Sequence, residues 1–111
     1  MEAKAIQKYA RLTPRKARRV TDLIKGKKAG DALIALRFMP YRGARFVEKI
    51  LKSAMSNAEQ KNANLDSEAL VVSGTFVDAG STMKRIEQRS MGRSNVIRKR
   101  SCHITLVLTD E

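Results

Sequence analysis

Residues 79–102 have too little apolar surface to join a core. The larger apolar side chains there, Met83, Ile86, Met91, Val96 and Ile97, are spread thin. Seven Lys or Arg residues and one acid fall within residues 84–100. Yet the stretch is flanked by two runs that alternate with a period of two. "ALVVSGTFVDAG" places Leu70, Val72 and Phe76 on one side. "CHITLVL" places Ile104, Leu106 and Leu108 on one side and His103, Thr105 and Val107 on the other. Two such runs pair as antiparallel strands. A structureless loop longer than about 15 residues is uncommon in a compact domain. Where such a loop occurs it is functional or disordered; the alternative is that both strands continue outward as an extended β-hairpin at about 78–104. Arms of roughly ten to twelve residues, at ~3.3 Å per residue, reach roughly 30–40 Å from the body. A bare two-stranded ribbon is marginally stable in water, so a partner is expected to surround it.

The rest of the chain supplies the body. Residues 2–9, "EAKAIQKY", read as a strand carrying Ala3, Ala5 and Tyr9 in loose alternation. In "RLTPRKARRVTDLIKGKK", Thr13 is placed to cap a helix and Pro14 to begin it. Ala17, Val20, Leu23 and Ile24 form its inward face, and Gly26 ends it. "GDALIALRFM" reads as a short helix with Asp31 as its cap and Ala32, Leu33, Ala35, Leu36 and Met39 mostly inward; Pro40 breaks the chain. "YRGARFVEKILKSAMSNAEQKN" is the longest helix. Ala44, Val47, Leu51, Ala54, Met55 and Ala58 line its core face, and Glu48 and Lys52 pair outside. "NANLDS" is a loop. The length of 111 residues suits one domain.

Charge narrows the function. The net charge of +12 is unevenly distributed. Residues 1–28 hold ten basic and two acidic residues, residues 29–83 hold six of each, and residues 84–100 carry a net +6. Two basic blocks around a neutral middle are the footprint of a polyanion, since a surface chosen for solubility mixes its signs. Catalysis finds no support. The lone His103 stands beside the lone Cys102 on a strand, where neighbours point to opposite faces. Neither has a second residue of its kind to build a metal site, and the glycines form no phosphate-cradling motif. No cofactor is expected. His103 reads first as a packed structural residue and second as a contact to phosphate or ribose. The N-terminal residues lack a signal-peptide apolar run, and no stretch approaches the ~20 apolar residues of a membrane span. With one unpaired cysteine, the expectation is a cytoplasmic protein without a membrane partner. The basic segment contains no aromatic residue, so the ribbon is expected to insert among phosphates of folded RNA rather than stack bases. Arg outnumbers Lys there, which suits bidentate phosphate contact. A β-ribbon binder of duplex DNA stays open on this reading.

The chain also resembles a known family. Lys84, Arg89–Ser90 and Gly92–Arg93, followed after nine residues by "HITLVL" at 103–108, match the signature of the universal large-subunit ribosomal protein family twenty-two in its bacterial form. "TPRKARRVTDLIKGK", "KILKSAMSNAEQ" and "FVDAGSTMKRI" resemble further family segments, so the likeness runs nearly end to end. The resemblance implies an α+β body, three helices packed on a three-stranded antiparallel sheet with a long protruding β-hairpin. It implies one rRNA-binding domain over residues 1–111 and a structural, non-catalytic role in the large ribosomal subunit. It also implies support of subunit assembly and a hairpin tip lining the nascent-peptide exit tunnel, near where macrolides bind. The implied partners are large-subunit rRNA, neighbouring ribosomal proteins and the nascent polypeptide, with no homo-oligomer. Carried over by position, and extended by the basic runs read above, the RNA contacts are Arg11, Thr13, Arg15, Lys16, Arg18, Arg19, Lys25, Lys27, Lys28, Arg98, Lys99, Arg100, Ser101 and His103. The tunnel-lining tip comprises Lys84, Arg85, Gln88, Arg89, Ser90, Met91, Gly92 and Arg93. Gln88 and Ser81 stand where the family commonly has Pro, and Met91 where it often has a basic residue. A stand-alone nucleic-acid module or RNA chaperone is the alternative reading.

Overall fold

The computed structural model describes residues 2–88 and 90–110. Eight main elements follow in chain order: β1 (Glu2–Ala10), α1 (Pro14–Ile24), α2 (Ala29–Phe38), α3 (Arg42–Lys61), β2 (Val71–Ala79), β3 (Met83–Gln88), β4 (Ser94–Lys99) and β5 (Cys102–Thr109). The fold class is α+β. Strands β1, β5 and β2 form an antiparallel sheet in that order, and β3 and β4 form a separate antiparallel ribbon.

Helix α3 is the centre of the body. Its small and apolar residues recur every three or four positions, and Ala44, Val47, Ile50, Leu51, Ala54, Met55 and Ala58 are all buried. That stripe packs on β1 and β5, meeting Ala3, Ala5, Ile104, Leu106 and Leu108. Each large aliphatic side chain so buried contributes about 1.5–3 kcal/mol. Helix α1 covers the β2 side of the same sheet face. It can lie close to α3 because Gly43 has no side chain. A Cβ there would stand 3.1 Å from Leu12 Cδ2 and 3.3 Å from Val20 Cγ2. Glu48 bridges Arg45 and Lys52 on the outer surface, the second as the sequence spacing anticipates.

Four local expectations change. On α1 the buried face is Ala17, Val20, Thr21 and Ile24, while Leu23 is 47% exposed. Thr21 can occupy the core because its hydroxyl donates to the Arg18 carbonyl at 3.2 Å. Helix α2 begins at Ala29, so Asp31 lies in the first turn rather than at the cap, where its charge complements the helix dipole. In β1 the register with β5 shifts between Gln7 and Ala10, leaving Lys8 and Tyr9 opposite His103 alone. Tyr9 takes φ +57° and faces solvent, and Ala10 takes the inward place. In β2 a second bulge falls between Val72 and Gly74. One extra residue reverses the parity of the strand. Val72 and Val77 therefore point inward, and Phe76, expected beside Val72, stands on the other face at 56% exposure.

The hairpin leaves the body as expected, with a break at its root. The ladder of β2 with β5 ends at Ala79–Cys102, and the ribbon resumes at Met83–Lys99. Gly80 N–H still donates to Ser101 O at 2.9 Å, and Ser101 Oγ donates to Ser81 O at 2.7 Å. The longest dimension is 65 Å against 24 and 16 Å. The radius of gyration is 16.9 Å, where a compact chain of this length has about 13 Å. The excess is the arm.

Candidate nucleic-acid interface

The two basic blocks, far apart in sequence, meet at the hairpin root. Helix α1 starts beside Ser101 and Arg100, and its first turn carries cations instead of acids. Thr13 has the extended geometry of an N-cap (φ −69°, ψ 143°), but its hydroxyl makes no capping bond. The first-turn N–H groups therefore lack a side-chain acceptor and carry the positive end of the helix dipole. On one side of this terminus lies a cleft of about 540 Å³. Arg11, Lys16, Arg42, Arg85, Arg98, Lys99 and Arg100 bring seven cations to its wall, with Thr13 and Ser101 between them. On the other side Thr13, Pro14, Arg15, Arg18, Ala79 and Arg100 line a second cleft of about 470 Å³. Thr13 and Arg100 border both, forming a ridge between two anion-sized recesses.

The sequence-nominated residues fall into distinct groups. Arg11, Thr13, Arg15, Lys16, Arg18, Arg98, Lys99 and Arg100 are gathered at the root. Arg18 also donates to Val77 O at 2.9 Å, which fixes the helix against β2. Arg19 lies one step aside, its guanidinium 4.3 Å from the centre of the Tyr41 ring. Lys25, Lys27 and Lys28 are exposed but sit near the start of β2, where Gly26 N–H bonds Val72 O and Lys28 bridges Val71. That is the opposite end of the sheet from the root. Ser101 is 8% exposed, with its hydroxyl engaged by Ser81. His103 Nδ1 accepts from Tyr9 N–H at 3.0 Å, and the two rings meet edge to face at 4.7 Å. His103 thus holds the β1 bulge, which matches its structural reading. Cys102 is buried behind it. Burial pushes its thiol pKa up, and the Arg18 charge pulls it partly back.

Of the residues nominated for the tip, Lys84 and Arg85 instead lie at the base of the ribbon, Arg85 in the wall of the root cleft; Gln88, Ser90, Met91, Gly92 and Arg93 are exposed at the far end of the arm. Arg89 lies outside the described residues. Gln88 pairs with Ser94, and Ser90–Gly92 forms a single tight turn in which Met91 takes φ +62°. Along one face of the ribbon, Ile86 and Val96 are paired and solvent-exposed, between Lys84–Arg98 below and Gln88–Ser94 above.

Arg42 is the root residue that sequence reasoning missed, because it was counted within the neutral middle. A signal was available. It occupies the first position of α3, where a cation opposes the helix dipole. No acid stands in the first turn of α1 or α3. Among the described residues, no ion pair engages Arg11, Arg15, Lys16 or Arg42. Two helix N-termini and their like charges converge on one cleft, an arrangement that an anion relieves. No group of three or more metal-ligating side chains exists among the described residues.

Residues 5–109 match the model of the family described as ribosomal protein L22p/L17e. The chain belongs to this family. It is 52% identical over 111 residues to the large ribosomal subunit protein uL22 of Desulforamulus reducens, covering all of this chain and 97% of that one. It is 50% identical to the uL22 of Geobacter metallireducens over the full length of both, and 49% identical to that of Halothermothrix orenii. These relatives are ribosomal proteins rather than enzymes, in keeping with the absence of catalytic motifs. No helix among the described residues is long and apolar enough to cross a membrane.

Proposed function

We propose that this large-subunit ribosomal protein binds rRNA as one domain, through the root cleft and the faces of its arm, and that the arm is ordered by the RNA around it. The observation that carries this reading is the convergence of seven cations and an uncapped helix terminus on one cleft. Such a site is complementary to a folded phosphate backbone, whose bound counterions are released on contact. The exposed arm has no core of its own, so its burial must come from a partner. By family likeness the far end of its arm, Gln88 to Arg93, lines the nascent-chain tunnel, and the protein supports assembly by holding rRNA segments on both sides of the ridge. Neighbouring ribosomal proteins and the passing nascent chain complete its partners.

The test is the salt dependence of binding to large-subunit rRNA. Replacing Lys16, Arg42 and Arg85 by Gln removes one cation from each of three elements. The log–log salt slope should flatten by about 2–3, at roughly 0.7–0.9 per lost phosphate contact. Replacing Lys49 and Lys52 on the outer face of α3 should leave it unchanged. Equal slopes for the cleft variant and the parent would refute the assigned surface.

A further inference from the structure

The bulge in β2 has a consequence beyond packing. By reversing parity it brings Phe76 onto the sheet face that no helix covers. Register places Ile6, Thr105 and Phe76 in one row across β1, β5 and β2. The next row toward the root holds His103 and Asp78, with Tyr9 against His103. The Phe76 ring leans over Gly74: its Cε2 and Cζ stand 3.4 and 3.7 Å from where a Gly74 Cβ would be, while 56% of the residue stays exposed to solvent. Phe76 and His103 are diagonal neighbours on paired strands, a spacing that aromatic side chains span. An aromatic strip therefore runs from the root onto the open sheet.

We propose that this strip is a base-stacking platform, which takes an unstacked nucleotide of the same RNA that fills the root cleft. It deepens the rRNA-binding reading and depends on it. Charge selects RNA over an apolar protein surface as the occupant. Lys4 projects on this face opposite Val107, Lys8 lies in the bulge beside Tyr9, and Arg11 leads directly into the basic cleft. A strand of RNA leaving that cleft keeps its phosphates on these cations while a base turns onto Phe76. Asp78, exposed beside the strip, accepts from an amino or imino N–H on the base edge. Stacking on a sheet-borne aromatic tolerates any base, because every base has a π face.

The chain contains no tryptophan, which gives a direct readout. Phe76→Trp creates a single indole at the platform, and Phe76→Leu keeps apolar bulk while removing the π face. The probe is a transcript of large-subunit rRNA, with circular dichroism melting to verify folding. Phe76→Leu should weaken binding by about fivefold to a hundredfold with an unchanged salt slope, since no charge is lost. Phe76→Trp should bind like the parent, and its emission should be quenched as RNA is added. Parent-like affinity of a folded Phe76→Leu variant, or indole emission indifferent to saturating RNA, would overturn the platform and leave the face to a protein partner. Failure of the parent itself to bind with steep salt dependence would instead sink the broader rRNA reading. Should Phe76→Leu not fold, the indole signal alone decides.

Discussion

Gly80 and Ser101 should be energetically coupled, and the coupling can be worked from the hairpin root. A Cβ on residue 80 would stand 2.6 Å from Ser101 Oγ and 3.3 Å from both His103 Cε1 and the Ser101 carbonyl carbon. Gly80→Ala therefore drives the Ser101 hydroxyl out of its rotamer and off the Ser81 carbonyl. Losing that bond in a buried position costs about 1 kcal/mol, and the crowding against backbone and imidazole adds about 1–2 kcal/mol. The variant should be about 2–3 kcal/mol less stable. Ser101→Ala alone loses the bond and costs about 1 kcal/mol. In the double variant the bond is lost only once while the crowding against backbone and imidazole remains, so the total should stay about 2–3 kcal/mol instead of reaching the sum of about 3–4 kcal/mol. The expected coupling is thus about 1 kcal/mol, above the few tenths seen between independent sites. Urea denaturation of the four proteins, followed by circular dichroism, measures it. Strict additivity would show that the hydroxyl does not fill the space above Gly80, and the account of how the root is latched would fall.

Two further outcomes concern the tip and the buried thiol. Met91 holds φ +62°, which costs a non-glycine residue about 1–2 kcal/mol. Met91→Gly should therefore slow trypsin cleavage within residues 84–100, and Met91→Val should hasten it, with the melting temperature of the body unchanged in both; equal cleavage of all three would refute strain at the turn. For Cys102, the raised native pKa means that above about pH 9 the unfolded chain ionises while the folded chain stays protonated. Stability from this group is present below that pH and lost as pH rises toward the native value. Cys102→Ala should flatten the alkaline limb of the stability–pH curve, and a thiol reagent at pH 8 should label the native protein far more slowly than the urea-unfolded one.

The core was legible in the sequence because one feature repeats there many times. Along α3, eight residues share the buried face, and all six nominated positions are among them. β5 is similar, with Ile104, Leu106 and Leu108 in one uninterrupted alternation. The errors gather where a single residue changes the phase. Ser73 and the Lys8–Tyr9 pair introduce bulges that no composition marks, and each sends an aromatic residue to the opposite face from the one that alternation implies. Thr21 displaced Leu23 because a hydroxyl bonded within its own helix is cheap to bury, and periodicity is blind to that bond. The basic blocks could be read as charge, but their meeting at Arg100 and Thr13 required the sheet register. Arg42 was missed because residues 29–83 balance as a whole, although a cation at the start of a helix with no acid in its first turn could have been read locally.

The free protein carries two defects of one kind. Its arm lacks a core, and its root gathers like charges at two helix N-termini that already bear positive potential. Neither can be relieved from within, because neutralising the root with acids or giving the arm an apolar face would favour a different partner. On the proposed reading a polyanion would correct both, lying against the cations and walling in the ribbon. The arm's order and the root's stability should then rise together as RNA is added and fall together with salt. If so, the hairpin is a part of the ribonucleoprotein core that this chain contributes in advance of the surroundings that stabilise it.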